Sequence, residues 1–264
     1  MVNIKSPAEI EKMRIAGKMT AEVLQALNSI MEPGISTMDI NQFCEDYIVN
    51  KLKAKPGSKG QYGYPYTVNT SLNHVICHGM PSATQFLKKG DIINVDITVI
   101  YEGYYGDSSK MYCIDKVPPH AERLVRVTRE CLFKGIQVVK PGVRLGDIGN
   151  AIQTHANNHH YSVVKEYCGH GIGAKMHEDP QVMHYGTPGE GIMLREGMTF
   201  TIEPMINQGK AALKHLNKDG WDIAITKDRK LSAQWEHTLL VTSDGVEILT
   251  LREEEKPELE SLLS

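Results

Sequence analysis

Two stretches of the chain, LKKGDIINVD at 87–96 and LREGMTFTIE at 194–203, match each other at an offset of 107 residues. A second pair, PGISTMDI at 33–40 and PGVRLGDI at 141–148, matches at an offset of 108 residues. Two separated matches at nearly one offset indicate an internal repeat rather than chance. The sequence therefore predicts two related halves of helix, helix and sheet, packed together.

Each predicted half opens with two helices. A helix start is indicated at Ser6, Pro7 and Glu9. Serine can cap the N-terminus of a helix, proline suits its first turn, and a glutamate three residues after the serine completes a capping box. Apolar residues then recur at helical spacing as far as Ile30, before Pro33-Gly34 ends the helix. The other predicted helices run from about 36 to 51, along a face from 124 to 138, and from about 145 to 157. We expect an α/β (α+β) fold in a single domain, 1–264, with halves of about 1–117 and 118–264.

Composition narrows the class of protein. Hydrophobic residues make up 41% and charged residues 23%, which is ordinary for a globular protein. The formal charge of -3 gives no excess of positive charge for binding the phosphate backbone of a nucleic acid. Charges interrupt the N-terminal stretch, and no run approaches the roughly 18 apolar residues of a membrane helix. Five cysteines without a C-x-x-C pair are typical of reduced thiols. We expect a cytoplasmic protein that binds neither membrane nor nucleic acid.

Asp96 and Asp107 lie in two predicted strands around a turn at Glu102-Gly103. A hairpin centred on that turn places Thr98 opposite Asp107, so that the two aspartates share one face as diagonal neighbours. Asp96 interrupts an apolar run, where an unpaired charge is costly, so a solvated strand face is the weaker interpretation.

Further acidic and imidazole groups occupy comparable positions. Glu203 is the repeat equivalent of Asp96, and Glu236 precedes another β-type run. His170, His78 and the nearby His177 differ from the other histidines because glycine flanks the first two and His177 follows His170 by seven residues. We interpret five other histidines as structural or exposed residues without a role in a site: His120, His155, His159, His160 and His215.

Carboxylate and imidazole ligands suit manganese, iron(II), cobalt or zinc. Four carboxylates carry a charge of about -4, which two divalent cations balance and one does not. The residues therefore predict a centre for two divalent ions.

The chain resembles the type I methionine aminopeptidases. The resemblance rests on NHVICHGMP, GDIINVDITVIYEGYYGDSSKM, EYCGHGIGAKMHEDPQV, GMTFTIEPM and SAQWEHT, which together with the Pro-Gly segments span nearly the whole chain. It implies the pita-bread fold, two pseudo-symmetric halves around a central curved antiparallel sheet. It also implies removal of N-terminal methionine from peptides and nascent proteins by a water or hydroxide that bridges two metal ions. We expect a monomer, with transient ribosome contact as a further expectation.

The resemblance assigns roles to individual positions. It implies the metal ligands Asp96, Asp107, His170, Glu203 and Glu236. It implies catalytic roles for His78, His177 and Glu203, with Glu203 also moving a proton, and substrate contacts for His78, His177, Tyr64, Met176 and Trp221. A weaker correspondence implies a monovalent-cation site at Asn73, Val75 and Ser232.

The methionine pocket departs from the family pattern. GQYGYPYTVN stands where GYHGYPKSVC or a close variant is common. Gln61, Tyr62, Asn69 and Met176 therefore replace frequent tyrosine, histidine, cysteine and phenylalanine. Methionine is soft enough to line a thioether pocket, so we expect the reaction to be retained while the shape of the pocket differs.

Three alternatives remain open from the residues. A proline-directed peptidase or creatinase-like hydrolase of the same fold usually has an N-terminal domain, for which the first half leaves no room here, and a type II methionine aminopeptidase has a long insertion. A non-catalytic binding module would be expected to lose ligands. A storage or structural metal site would leave His78 and His177 unexplained.

Overall fold

The structure is a computed structural model that describes residues 2–257 and residue 259. Its first two helices begin where the sequence predicts. The Ser6 hydroxyl accepts from the Glu9 N–H, Ser36 makes the same contact with Asp39, and both capping boxes are complete. The α-helices are α1 Pro7–Ala26, α2 Thr37–Asp46, α3 Pro119–Gln137 and α4 Leu145–Asn158.

The end of the first helix differs from the prediction. α1 stops at Ala26, and a 3₁₀ turn, Leu27–Ser29, follows it. In this turn the Ile30 N–H donates to the Leu27 carbonyl and the Ser29 hydroxyl to the Ala26 carbonyl. These three-residue spacings tighten the chain, so the prediction of one helix as far as Ile30 is wrong in its last turn.

Short strands follow each pair of helices. In the first half they are β1 Lys55–Pro56, β2 Val68–Leu72, β3 Val75–Cys77, β4 Ile92–Tyr101 and β5 Tyr104–Cys113. In the second half they are β6 Ser162–Val163, β7 Gly169–Gly171, β8 Glu178–Val182, β9 Thr199–Ile202, β10 Met205–Asn207, β11 Leu213–Lys218, β12 Trp221–Thr226, β13 Ser232–Gln234, β14 His237–Val241 and β15 Val246–Ile248.

Among the described residues, the strands form four antiparallel sheets. The largest have the order β15-β14-β9-β7-β8, and β1-β4-β2 with β5 paired to β4. The smaller ones are β13-β10-β6 and β11-β12-β3, so β3 from the first half joins a hairpin from the second. The predicted α/β class is confirmed, and so is the helix, helix, sheet order of each half.

The two halves meet where β5 lies beside β14. The Asp107 N–H donates to the Thr238 hydroxyl, which donates in turn to the Asp107 carbonyl, at 3.1 and 2.7 Å. The Glu236 N–H donates to the Ser109 carbonyl at 3.2 Å. Two of the acidic residues singled out from the sequence therefore lie at this seam. Their placement within one catalytic domain of halves 1–117 and 118–264 stays a prediction, and residues 1, 258 and 260–264 lie outside the described residues.

Helix α1 packs closely on β5. A Cβ added to Gly106 would lie 2.5 Å from the Gly17 nitrogen, so backbone touches backbone here. The Thr20 hydroxyl donates to the Gly106 carbonyl at 2.8 Å. Gly17 and Thr20 interrupt the apolar face of α1 because this contact requires small and hydrogen-bonding groups. The close approach holds the strand that carries Asp107.

Candidate metal centre and cleft

The β4–β5 hairpin has the register predicted from its turn. Thr98 pairs with Asp107 and Asp96 with Ser109, so the two aspartates are diagonal neighbours on one face. Asp107 is 3% exposed, and its Oδ1 accepts from the Thr98 hydroxyl at 2.9 Å. The hairpin therefore presents two carboxylates to the seam between the halves.

The second half supplies the remaining groups from the strands around β9. Glu203 follows the last residue of β9, and its Oε1 accepts from the Thr201 hydroxyl at 2.8 Å. Its Oε2 accepts from the Gln234 amide at 3.3 Å. Glu236 lies between β13 and β14 and is 2% exposed.

His170 lies in the middle of β7 with one ring nitrogen free for a ligand. Its Nδ1 is 3.0 Å from the Gly171 carbonyl, which only accepts, so Nδ1 carries the proton and Nε2 has a lone pair. Nε2 is 3.7 Å from Asp107 Oδ2 and 3.5 Å from Glu203 Oε1. Ligand atoms of Asp107, His170 and Glu236 all lie within 4.8 Å of one another. One ion placed among them could contact several donors.

The electrostatics of this cluster favour bound cations. Burial raises the pKa of Asp107 to about 7. Burial and the neighbouring carboxylates raise the pKa of Asp96, Glu203 and Glu236 well above their ordinary values. Burial, aided by His177, lowers the pKa of His170 to about 3, so its imidazole is neutral. Four carboxylates in a buried site, with one neutral imidazole, are a donor set that fits divalent ions.

A cleft of about 650 Å³ opens above these groups. All five predicted metal ligands line it, together with the predicted substrate contacts His78, His177, Tyr64, Met176 and Trp221. Among the described residues, the buried Asn69 Oδ1 and Gln234 Oε1 in its wall have no hydrogen-bond partner. These acceptors remain available to a bound molecule.

The two non-ligand histidines are held in different ways. Burial, with a contribution from His177, lowers the pKa of His78 to about 4, and Trp221 Nε1 donates to the His78 carbonyl at 3.0 Å. The His177 ring lies 4.4 Å from the His170 ring, and burial lowers the pKa of His177 as well. The Tyr62 hydroxyl is 3.0 Å from His177 Nδ1. Both imidazoles are therefore neutral near pH 7.

The apolar end of the cleft is built on Tyr64. The Tyr64 ring lies 4.4 Å from the Trp221 ring, and its hydroxyl donates to the Val68 carbonyl at 2.8 Å. Met176 lines the same cleft. These groups form a soft, aromatic wall beside the carboxylates.

The three residues of the predicted monovalent-cation site lie outside the cleft lining. The Asn73 carbonyl accepts from the Ser232 N–H at 2.9 Å. The side chains are engaged elsewhere: Asn73 Nδ2 donates to Asp91, and the Ser232 hydroxyl donates to Asn207. Val75 pairs with Ile225 in the adjoining sheet. The cation site stays a prediction.

Sequence patterns missed a buried ionic network behind the metal centre. The Ser108 hydroxyl donates to the Glu236 carbonyl at 2.6 Å and accepts from Arg252 Nη1 at 3.0 Å. Arg252 Nη2 donates to Glu255 at 2.8 Å, and His237 Nε2 lies 3.3 Å from the same carboxylate. Arg252, His237 and Glu255 are at most 1% exposed. The network ties the C-terminal segment to the backbone carbonyl of Glu236 through Ser108, the residue that follows Asp107.

Other contacts to the centre were also missed, and no local pattern marks them. The His184 ring nitrogen accepts from the Glu203 N–H at 3.1 Å, and the Thr201 hydroxyl accepts from the His170 N–H at 3.0 Å. Tyr62 was noted only as a departure from the family pattern, although it contacts His177.

Comparison with known proteins identifies the class. The model of metallopeptidase family M24 matches residues 11–243, and the chain belongs to that family. The chain is 50% identical over 254 residues to a protein of Escherichia coli K12 named methionine aminopeptidase, covering 96% of each chain. Solved methionine aminopeptidases superpose closely. The structure from Rickettsia prowazekii has a TM-score of 0.92 and 46% sequence identity, and the match covers 95% of this chain and 100% of that one. The structure from Thermotoga maritima has a TM-score of 0.92 and 43% sequence identity, and the match covers 96% of this chain and 100% of that one. The predicted family and fold are confirmed.

Among the residues that the structure describes, no helix combines the length and apolar character needed to cross a bilayer.

Proposed function

We propose that the chain is a metal-dependent aminopeptidase that removes the N-terminal methionine from peptides and newly made proteins. The observation that carries the proposal is the buried cluster of four carboxylates and a neutral imidazole beneath a cleft lined by two further histidines. Relatives that share half of its residues over almost their whole length bear the name methionine aminopeptidase.

The donor set supports two divalent ions per chain. Asp96, Asp107, His170, Glu203 and Glu236 would hold them, and a charge of about -4 from the carboxylates is balanced by two ions rather than one. When bound, such ions polarise a peptide carbonyl and make water a stronger nucleophile at neutral pH. Cobalt, manganese, iron(II) and zinc all suit carboxylate and imidazole donors, and cellular supply selects among them.

Glu203 is the group best placed to move a proton. Hydrogen bonds from Thr201 and Gln234 hold both of its carboxylate oxygens. In the metal-free chain, burial and the nearby aspartates raise its pKa well above the ordinary value, and a positioned carboxylate is a common proton carrier in hydrolysis. We assign to Glu203 the transfer of a proton from the attacking water to the leaving nitrogen.

His177 and His78 would bind the reacting peptide bond. If the Tyr62 hydroxyl donates to His177 Nδ1, the single proton of the neutral ring is on Nε2 and can be donated to the carbonyl oxygen. The His78 ring lies 6.0 Å from the Trp221 ring, and we assign to His78 the nitrogen side of the peptide bond. The wall of Tyr64, Met176 and Trp221 would receive the methionine side chain, because aromatic rings and thioethers attract each other.

The decisive variant is Glu203→Gln, which keeps the shape of the side chain and removes the proton acceptor. We expect turnover of a Met-Ala-initiated peptide to fall by roughly 100-fold or more, since proton transfer by a positioned group contributes about 10²–10⁴-fold. Metal content should change in the same variant, because Glu203 also lies among the ligands. Glu196→Gln, on the exposed surface, is the matched control. Near-normal turnover in Glu203→Gln would refute the assignment.

Substrate choice separates the proposal from the related alternatives. Peptides that begin with Met-Ala, Leu, Pro and Xaa-Pro are incubated with each metal in turn. Release of methionine from Met-Ala peptides supports the proposal, whereas cleavage confined to Xaa-Pro peptides indicates a proline-directed enzyme. Metal binding without cleavage of any peptide indicates a storage or structural site.

The setting of the activity is a further part of the proposal. We propose a cytoplasmic monomer that acts on new N-termini and contacts the ribosome transiently. All five cysteines are free thiols, which agrees with a reducing compartment. Light scattering after gel filtration tests the monomer, and co-sedimentation with ribosomes tests the contact. A stable dimer, or complete absence from the ribosome pellet, would refute the respective part.

A further inference from the structure

A second group of metal-binding side chains lies between α3 and α4. Glu130 Oε2 is 2.9 Å from His155 Nε2 and 3.9 Å from His159 Nε2. The two imidazole rings are 4.6 Å apart, and one ligand atom from each of the three residues lies within 4.8 Å of the others. The three side chains are 19–34% exposed, so water can reach them.

The local structure explains why these three groups meet. His155 lies in the last turn of α4, and His159 is the residue that ends that helix, four positions later. Residues four apart project from the same face of a helix, which is the spacing of histidine pairs that bind zinc. Glu130 projects from α3 onto this face. In the sequence, nothing distinguishes His155 and His159 from structural or exposed histidines, because Glu130 reaches them only through helix packing.

Two arginines near the cluster set the kind of ion that it can take. Arg126 binds the other carboxylate oxygen of Glu130 and leaves Oε2 directed at the imidazoles. Arg123 donates to the His159 carbonyl at 3.1 Å and lies 3.4 Å from His159 Nδ1. With one carboxylate and two guanidinium groups nearby, the cluster is a poor site for Mg²⁺ or Ca²⁺, which require several oxygen ligands. Two imidazoles and one carboxylate instead suit zinc and similar transition ions.

We propose that Glu130, His155 and His159 form a third divalent-metal site, for Zn²⁺ or a similar imidazole-binding ion, with water completing its coordination. The site is independent of the aminopeptidase centre, because it shares no residue with the cleft. An ion held there joins α3 to the end of α4 and stabilises the folded chain, since it binds the assembled ligands in preference to the unfolded chain. Zinc counted per chain should therefore exceed the number held in the cleft.

The test compares zinc binding by the full chain and a double variant, His155→Ala with His159→Ala. Metal-free protein is dialysed against buffered Zn²⁺, and bound zinc is measured by atomic emission. We expect the wild type to bind one more zinc ion per chain than the double variant. We also expect zinc to raise the Tm of the wild type by more than it raises the Tm of the double variant. His120→Ala, an exposed histidine outside the cluster, is the matched control and should bind as much zinc as the wild type.

A second variant tests the role of the competing arginine. Arg126→Met frees the Glu130 carboxylate from its partner, so zinc affinity at this site should rise several-fold. Far-UV circular dichroism verifies that each variant is folded. The proposal is overturned if wild type and double variant bind equal zinc with equal affinity, or if millimolar Mg²⁺ displaces the additional ion. The difference in zinc count does not depend on peptide cleavage, so failure of the proposed aminopeptidase activity leaves this result interpretable.

Discussion

Replacing Ser108 by alanine tests whether the network behind the cleft positions the metal ligands. The change removes two buried hydrogen bonds, one to the Glu236 carbonyl and one from Arg252. A bond to a charged group contributes about 1.5–3 kcal/mol and a neutral one about 0.5–1.5 kcal/mol, so we expect a loss of roughly 2–4 kcal/mol of unfolding free energy. In a chain of this size that lowers the Tm by about 5–15 °C.

The same substitution should weaken metal binding. Ser108 follows Asp107 directly and holds the backbone of Glu236, so its loss frees two of the proposed ligands to move. Groups that orient metal ligands from behind typically contribute about 10–100-fold in affinity. Calorimetric titration of metal-free protein with Mn²⁺ measures that affinity, and differential scanning calorimetry measures Tm. Saturating metal should restore much of kcat and leave KM nearly unchanged, because Ser108 lies outside the cleft lining.

The control is Thr128→Val, which removes an equally buried hydroxyl that donates to the Leu124 carbonyl at 2.8 Å within α3. It should lower Tm by a smaller amount and leave Mn²⁺ affinity unaltered. If Ser108→Ala binds Mn²⁺ as tightly as the wild type, the network contributes to folding alone and the positioning argument is wrong.

Three further predictions follow from individual contacts. Burial raises the pKa of Asp107 to about 7 against roughly 3.9 in the unfolded chain, so this carboxyl binds more protons in the folded metal-free protein. Its contribution to the free energy of unfolding should therefore fall as the pH rises from about 4 to 7, so Asp107→Asn should gain stability in urea relative to the wild type over that range; a constant difference would contradict this. Tyr62→Phe removes the hydroxyl that contacts His177 Nδ1 and should lower kcat/KM by about 2- to 10-fold. The Tm should stay unchanged, because Tyr62 is 75% exposed. An unchanged kcat/KM would argue against a role for this contact. Gly106→Ala places a Cβ 2.5 Å from the Gly17 nitrogen and should cost about 1–3 kcal/mol of unfolding free energy, which a wild-type Tm would disprove.

The sequence predicted those features that local chemistry determines. The Glu102-Gly103 turn and the alternation of the flanking residues suffice for the register that pairs Thr98 with Asp107. The capping box at Ser6 suffices for the start of the first helix. The repeat went further, because it related Asp96 to Glu203 across 107 residues, and both line one cleft.

Contacts between distant segments were not predictable in this way. Arg252 reaches Ser108 across 144 positions, and Tyr62 reaches His177 across 115. No periodicity links such residues, because their meeting depends on how the two halves pack. The last turn of α1 was mispredicted for a different, local reason: the helical spacing continues to Ile30, but the hydrogen bonds at Leu27–Ser29 have the three-residue spacing of a tighter turn.

The position of the carboxylates at the seam connects the repeat with the chemistry. Asp96 and Asp107 come from the first half, and Glu203 and Glu236 from the second, so packing the halves together brings like charges into a buried space. The raised pKa values of all four groups show that the folded chain opposes their ionisation. The bonds of Thr238 to Asp107 and of Glu236 to Ser109 hold the backbones together against that repulsion. Divalent ions would relieve it, and metal binding should therefore release protons and strengthen the contact between the halves together.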